Sequence, residues 1–210
     1  NLNTSFAATY FPDVTLTDPD TGALVSVPPS AAVLGVYSLN DSVAAPFAAP
    51  AGKTRGVVSS ASSVSVLFNR NNLDELYDAD INPITSFPGS GIVVFGQKTL
   101  LSNNSALDRV NVRRLLISVR RAVRNVANTL LFEPNRASTL ARFTALVNPI
   151  LQNVKERNGI SRYKVIIDSS TTTQLDIENN TIRGKIYLQP VRSIEFISLD
   201  FVVTNSGAEI

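Results

Sequence analysis

The sequence predicts an α/β (α+β) fold, in which a mixed β-sheet is flanked by two long helices and strand-like arms extend at the chain ends. Three observations predict it. Residues 81–96 form a hairpin pattern, with a strongly β-prone second half. Segments 108–127 and 137–157 carry apolar residues at helical spacing. The chain then returns to strand-like sequence. We expect one domain over residues 1–210, with the opening segment joining the same sheet.

The composition restricts the chemistry. The chain has no cysteine and no histidine, and its formal net charge is only +2. This excludes thiolate nucleophiles and disulfides, and it removes the commonest general base and metal ligand. No apolar run approaches the ~18 residues of a membrane span. Enzyme chemistry that depends on cysteine or histidine is therefore excluded, and we expect no cofactor and no metal. Because only 17% of residues are charged, we expect other molecules, such as copies of the chain, to cover part of the surface.

The first eighty residues predict short strands and two helices. Residues 14–17 alternate between apolar and polar side chains, as in a half-buried strand. An almost wholly apolar helix is expected over residues 28–41, with proline in its first turn. A shorter acidic helix is expected over residues 69–79, with Asn71 or Asn72 as its cap.

The hairpin turn contains two glycines that raise a second possibility. Pro88, Gly89 and Gly91 suit a tight turn, but a glycine-rich loop can also bind a phosphate. A Walker loop needs a following Lys-Ser/Thr pair, and a dinucleotide-binding loop opens a helix. Here the glycines are followed by a strand-like run instead. We therefore interpret them as turn residues.

The helix predicted over residues 108–127 carries an arginine-rich face. Its apolar residues fall on one arc and its arginines on another. Such a face can be solvated, can contact a protein partner, or can track nucleic-acid phosphates. The aromatic residues typical of single-strand binding are missing, so nucleic acid ranks third and we expect no direct contact with it. The candidate contact residues are Arg113, Arg114, Arg120, Arg121 and Arg124.

The remaining elements follow in order. We expect a strand at residues 129–133 and then the second long helix, kinked at Pro149. Further strands are expected at 163–168, 183–189 and 194–203, the last two as a candidate antiparallel pair.

Two carboxylate sets could carry chemistry. The first set, four acidic residues between positions 74 and 80, lacks the spacing of a calcium-binding loop. We interpret it as a solvated or partner-facing helix surface. The second lies in a polar loop, where a glycosidase-like pair would need a convergence that the sequence does not indicate. The first set is Asp74, Glu75, Asp78 and Asp80, and the second is Asp168, Asp176 and Glu178.

An ordered set of short motifs resembles the contractile tail sheath proteins of phages, R-type pyocins and contractile injection systems. Each motif is weak alone, and the order makes the set specific. One departure is Phe95, where the family often has tryptophan. The motifs are Ile81-Asn82-Pro83-Ile84, Phe87-Pro88-Gly89-x-Gly91, Val93-Val94-Phe95-Gly96-x-Lys98-Thr99-Leu100, Val110-Asn111-Val112-Arg113-Arg114-Leu115 and Phe132-Glu133-Pro134-Asn135, with weaker matches at 7–12, 18–22, 27–30, 49–52 and 190–197.

The resemblance implies a structural subunit without catalytic residues. Such subunits polymerise around an inner tube, and contraction drives that tube through a host envelope. The implied partners are other sheath subunits, the tube protein and the baseplate, in a virion tail assembled in the host cytoplasm. The resemblance further implies that the chain is the inner, tube-proximal piece of a longer subunit, with residues 1–16 and 196–210 as candidate arms between subunits. The alternative is a nucleic-acid-binding module using the helix at 108–127.

Overall fold

The computed structural model describes residues 2–168 and 170–197. It confirms the α/β class. The strands are β1 (Thr9–Phe11), β2 (Val14–Thr17), β3 (Leu24–Val27), β4 (Ala61–Val64), β5 (Ile81–Phe87), β6 (Gly91–Val94), β7 (Ile160–Ile166) and β8 (Lys185–Pro190). The helices are α1 (Pro29–Val43), α2 (Gly52–Arg55), α3 (Arg70–Asp78), α4 (Val110–Asn128), α5 (Ala137–Glu156) and α6 (Gln174–Glu178).

The strands of the described residues form three small sheets rather than one. Their orders are β1-β5-β6, β3-β2-β4 and β7-β8. The first is mixed, because β1 is parallel to β5 while β6 is antiparallel to it. The expectation that the opening segment shares a sheet with the tail was wrong. The physical reason is that the described residues form two separate hydrophobic cores, one under the two N-terminal sheets and one under the β7-β8 pair.

The first core lies between α1 and the two N-terminal sheets. Val36 of α1 packs with Val14 of β2 and with Ile84 and Val94 of the hairpin, and all four are at most 2% exposed. Asn69 caps α3, rather than Asn71 or Asn72 as predicted. Since α1 and the hairpin close on the same apolar cluster, the first half of the chain folds around residues 81–94.

The predicted hairpin is confirmed. Ile84 pairs with Val94, and the turn between the strands places Gly89 and Gly91 at φ values of 76° and 73°. These left-handed conformations favour glycine, so the glycines serve backbone geometry. Next to the hairpin, the buried side chain of Asn82 accepts a hydrogen bond from the amide of Lys98 (2.6 Å) and donates one to its carbonyl (2.8 Å). This ties the chain after β6 back onto β5.

The second core joins the two long helices to the β7-β8 pair. Leu115 of α4, Val147 and Leu151 of α5, and Ile160 of β7 are each at most 1% exposed. Both long helices are therefore confirmed, and their apolar stripes face each other; the kink at Pro149 stays a prediction.

One strand expectation in this half was wrong, and a second was wrong over its described residues. Residues 129–133 form the turn between α4 and α5, where Phe132 has a φ of 69° and a fully exposed ring. Among the described strands none lies beside this short apolar run to pair with it. At the other end β8 pairs with β7, and residues 194–197 are not in a strand. Residues 198–203 of that prediction lie outside the described residues.

Candidate assembly surfaces

The five candidate arginines of α4 divide into two groups by position along the helix. Arg113 and Arg114, in its first half, are partly buried. Arg120, Arg121 and Arg124, in its second half, are exposed. The difference arises because other parts of the chain cover only the first half of α4. The residues ahead of β1, which we call the N-terminal segment, lie over it, and α1 lies beside it.

Arg114 ties α4 to α1. Its Nη2 lies 2.6 Å from both carboxylate oxygens of Asp41, and its guanidinium group stacks over the ring of Tyr37 at 4.7 Å. The Tyr37 hydroxyl lies 2.5 Å from that of Tyr10. Burial raises the pKa of both tyrosines, so the pair stays neutral at physiological pH. Arg114 therefore connects the two cores within one chain.

Arg113 holds the N-terminal segment. Its Nη2 donates to the Ser5 hydroxyl, and its guanidinium group lies 4.0 Å from the centre of the exposed Phe6 ring. Burial lowers the pKa of Arg113, and the charge of Arg120 lowers it further. The segment is also hydrogen-bonded along its backbone, from Thr4 to the carbonyl of Leu100 (3.0 Å).

This placement describes the N-terminal candidate arm. Residues 9–11 and 14–17 are strands of the chain's own sheets, and Val14 is wholly buried. The residues ahead of β1 lie on the outside, against the chain between β6 and α4. Residues 196–197 of the C-terminal candidate arm are exposed, and residues 198–210 lie outside the described residues.

The remaining three arginines form what we call the basic surface: Arg120, Arg121 and Arg124. With Phe6, Ile117 and Arg113 they surround a depression of about 200 Å³. Among the residues that the structure describes, none of the three makes an ion pair. Since two of the five predicted arginines bind other parts of the chain, the members of that set available to an external partner are these three.

The β7-β8 ribbon is a second open surface. One face packs on α4 and α5 through Tyr163, Val165, Ile186 and Leu188. Within the described part of the chain each strand pairs only with the other. Both outer edges thus carry unpaired N–H and C=O groups, which can template an added strand.

The C-terminal segment is fixed by a polar cluster that the sequence did not predict. Glu195 Oε1 accepts hydrogen bonds from Arg109 Nε (2.7 Å) and Gln97 Nε2 (3.2 Å), and Oε2 accepts one from the Tyr77 hydroxyl (3.2 Å). The Phe196 ring meets the Tyr77 ring edge-on at 5.4 Å. We call Glu195 and its three donors the Glu195 cluster.

The electrostatics of this cluster favour the ion pair. Burial lowers the pKa of Arg109, but the hydrogen bond that it donates to Glu195 and the charges of Glu195 and Asp108 outweigh this effect, so that the pKa is raised. The segment carrying Glu195 also lines a cavity of about 730 Å³, together with Phe47 and Phe95. No residue spacing could have revealed the cluster, because its members come from four separate places in the chain.

The carboxylates of the polar loop have structural partners. Asp176 forms a capping box with Thr173 and accepts a hydrogen bond from Arg183 Nε at 2.7 Å. Its bonds to Thr173 and Arg183 lower its pKa to about 2. Asp168 accepts bonds from the amide and hydroxyl of Ser170. Nothing in this geometry forms a catalytic pair.

Two kinds of site are absent from residues 2–168 and 170–197. No group of three or more acidic side chains there could hold a metal ion. No helix in the same residues is long and apolar enough to cross a bilayer.

The chain is similar to known tail sheath proteins. Residues 102–204 match the phage tail sheath C-terminal domain. The tail sheath protein of Vibrio phage KVP40 is 34% identical over 183 residues, covering 87% of this chain and 27% of the relative. That of Enterobacteria phage T4 is 35% identical, covering 87% and 28%. The chain thus spans little more than a quarter of the curated relatives it matches.

Solved structures agree over almost the whole chain. The sheath complex of an extracellular contractile injection system (PVC), in the contracted state, superposes with a TM-score of 0.85 at 30% identity, covering 96% of this chain and 57% of that one. The baseplate of the anti-feeding prophage (AFP) contains a chain that superposes with a TM-score of 0.85 at 27% identity, covering 96% and 56%. Over almost its whole length the chain therefore has the fold of contractile sheath subunits, and residues 102–204 match the C-terminal domain of phage tail sheath proteins.

Proposed function

We propose that this chain is a structural subunit of a contractile tail sheath, which polymerises around an inner tube and drives it through the host envelope on contraction. The observation that carries the proposal is the fold shared with contractile sheath subunits over 96% of the chain. The chemistry is consistent with it, because the polar clusters join parts of the chain to one another. The proposed role is mechanical and non-enzymatic.

The subunits connect through strand addition. The β7-β8 ribbon offers two unpaired edges, and the arm of a neighbouring subunit supplies the added strand. The C-terminal arm, residues 196–210, begins directly after the Glu195 cluster, which sets the point where it leaves the body. At the N-terminus the arm consists of the residues ahead of β1, because residues 9–16 contribute a buried strand to the subunit itself.

The partners follow from this role. We propose that the chain is the inner, tube-proximal domain of a longer subunit, and that its neighbours are other sheath subunits, the tube protein and the baseplate. The particle is a virion tail assembled in the host cytoplasm. The basic surface is the proposed protein-contact surface, since its three guanidinium groups are exposed and lack ion partners among the described residues.

Electron microscopy of the purified chain tests the proposal. We expect rings or tubes from the full chain, and monodisperse, folded monomers after deletion of residues 198–210. Deletion of residues 1–16 serves for comparison. It removes β1 and most of β2 with the wholly buried Val14, so this shortened chain should not fold. Tubes formed by the C-terminally shortened chain would exclude that arm as the link between subunits.

A further inference from the structure

The chain carries a second exposed charge cluster of opposite sign to the basic surface. Asp74, Glu75 and Asp78 lie exposed on α3 and make no ion pair among the described residues. We call them the acidic face. Asp80, the fourth carboxylate of this region, is excluded because it pairs with Lys98 Nζ at 3.0 Å.

The two clusters have the same spacing. The arginines occupy positions 120, 121 and 124, and the carboxylates occupy positions 74, 75 and 78. Both sets therefore have the spacing i, i+1, i+4, which is about one helical turn. At ~1.5 Å per residue both sets extend about 6 Å along their helix axes. Two helices lying side by side can therefore bring the sets together as several ion pairs at once.

Within one chain the clusters are held apart. Arg109, just before α4, donates to the Tyr77 hydroxyl of α3 at 2.9 Å, so the start of α4 lies against α3. Arg120 is eleven residues further along α4, about 16 Å at the helical rise. An acidic partner of the basic surface must therefore come from outside the α3 of the same chain. The positive charge of Arg120 also lowers the pKa of Arg113, so the arginines repel one another.

We propose that the basic surface of one copy binds the acidic face of α3 in the next copy. This rests on the proposed function and makes it more specific, because it assigns these arginines to a contact between subunits and names the opposing residues. The contact joins two different patches of the same chain, and such heterologous contacts build open helical polymers when the rotation does not close a ring. Phe6 and Ile117 supply an apolar rim around the arginines.

Charge exchange tests the pairing directly. One variant carries Arg120→Glu, Arg121→Glu and Arg124→Glu, so both of its surfaces are acidic. The other carries Asp74→Lys, Glu75→Lys and Asp78→Lys, so both are basic. Each variant alone should sediment as a monomer, and their equimolar mixture should associate, because every contact in an alternating polymer then joins opposite charges.

The measurement is sedimentation velocity at 0.1 M and 1 M salt. Association of the mixture should fall sharply at the higher salt, where the Debye length shrinks from about 10 Å to about 3 Å. The control, Arg136→Glu with Lys155→Glu, removes two exposed cations, one just before α5 and one near its end, and should leave association unchanged. Circular dichroism checks that every variant is folded.

The outcomes separate this inference from the proposed function. A mixture that stays monomeric overturns the pairing, whether or not the wild-type chain forms tubes. An arginine variant that associates alone as well as the wild type overturns it too. If the mixture associates but microscopy of the wild type shows no rings or tubes, the pairing stands and the sheath proposal fails.

Discussion

Removing the carboxylate of Glu195 should release the C-terminal segment from the body of the subunit. The substitution Glu195→Ala deletes the acceptor for Arg109, Gln97 and Tyr77. A hydrogen bond to a charged group contributes about 1.5–3 kcal/mol, and the lower part of that range applies because the side chains of Glu195 and Arg109 are 22% and 23% exposed. The amide of Gln97, only 4% exposed, also loses its acceptor, although water entering the opened site offsets part of that cost.

We therefore expect a loss of about 2 kcal/mol, which corresponds to roughly a 30-fold larger population of the detached segment. Trypsin cleavage after the exposed Arg192 reports this population, because proteolysis tracks the open form when reclosing is fast. Mass spectrometry follows the 1–192 fragment, and rates are normalised to synthetic peptides with the same substitution. Glu178→Ala, at an exposed site on α6, is the matched control. Equal normalised rates for Glu195→Ala and wild type would refute the anchoring role.

Three further predictions concern the fold. Leu151→Ala should lower the free energy of unfolding by about 3 kcal/mol in denaturant titrations, since the wholly buried side chain leaves a cavity between the long helices. Gly96→Ala should destabilise the protein in the same titrations, because the new Cβ would lie 2.7 Å from Asn82 Oδ1. The control is Gly35→Ala, whose new Cβ meets no neighbour. Gly22→Ala would not serve as a control, because the φ of Gly22 is 70°. The carboxyl group of Asp176 should titrate near pH 2 by NMR. Because its folded-state pKa is lowered, the ionised carboxylate stabilises the fold above the unfolded pKa of about 3.9. This contribution is lost as the pH falls through about 2. In Asp176→Asn the free energy of unfolding should lack this pH-dependent contribution.

The local elements of the fold could be predicted because their signals are local. The hairpin follows from a turn that needs glycine at Gly89 and Gly91, and α4 and α5 follow from long apolar stripes. The number of sheets could not be predicted in the same way. Strand alternation identifies which side of a strand is buried, but it does not specify which strand lies next to it.

The strand expected at residues 129–133 illustrates this limit. Its sequence is apolar and β-prone, yet the antiparallel packing of α4 on α5 requires a reversal of the chain at that point. The requirement comes from the buried contacts of Leu115, Val147 and Leu151, which are distant in sequence from the turn. Tertiary packing therefore overrides local propensity, and Phe132 becomes exposed.

The candidate arginines could be found from sequence, but their division could not. Helical periodicity places all five near one face of α4, and it carries no information about which turns other segments cover. Arg113 and Arg114 lie where the N-terminal segment and α1 cross the helix, and Arg120 lies beyond them. Only the long-range fold distinguishes a cation that joins parts of one chain from a cation available to a partner.

Both described ends of the chain converge on the start of α4. Arg109 binds Glu195 of the C-terminal segment, and Arg113 binds Ser5 of the N-terminal segment one helical turn later. The next residue, Arg114, binds Asp41 of α1, while Leu115 enters the second core. If the arms join neighbouring subunits as proposed, a pull on either arm reaches α4 within one turn and is shared by both hydrophobic cores. The subunit can then move as a unit while its arms act as the connections, which is the mechanical property that a contracting sheath requires.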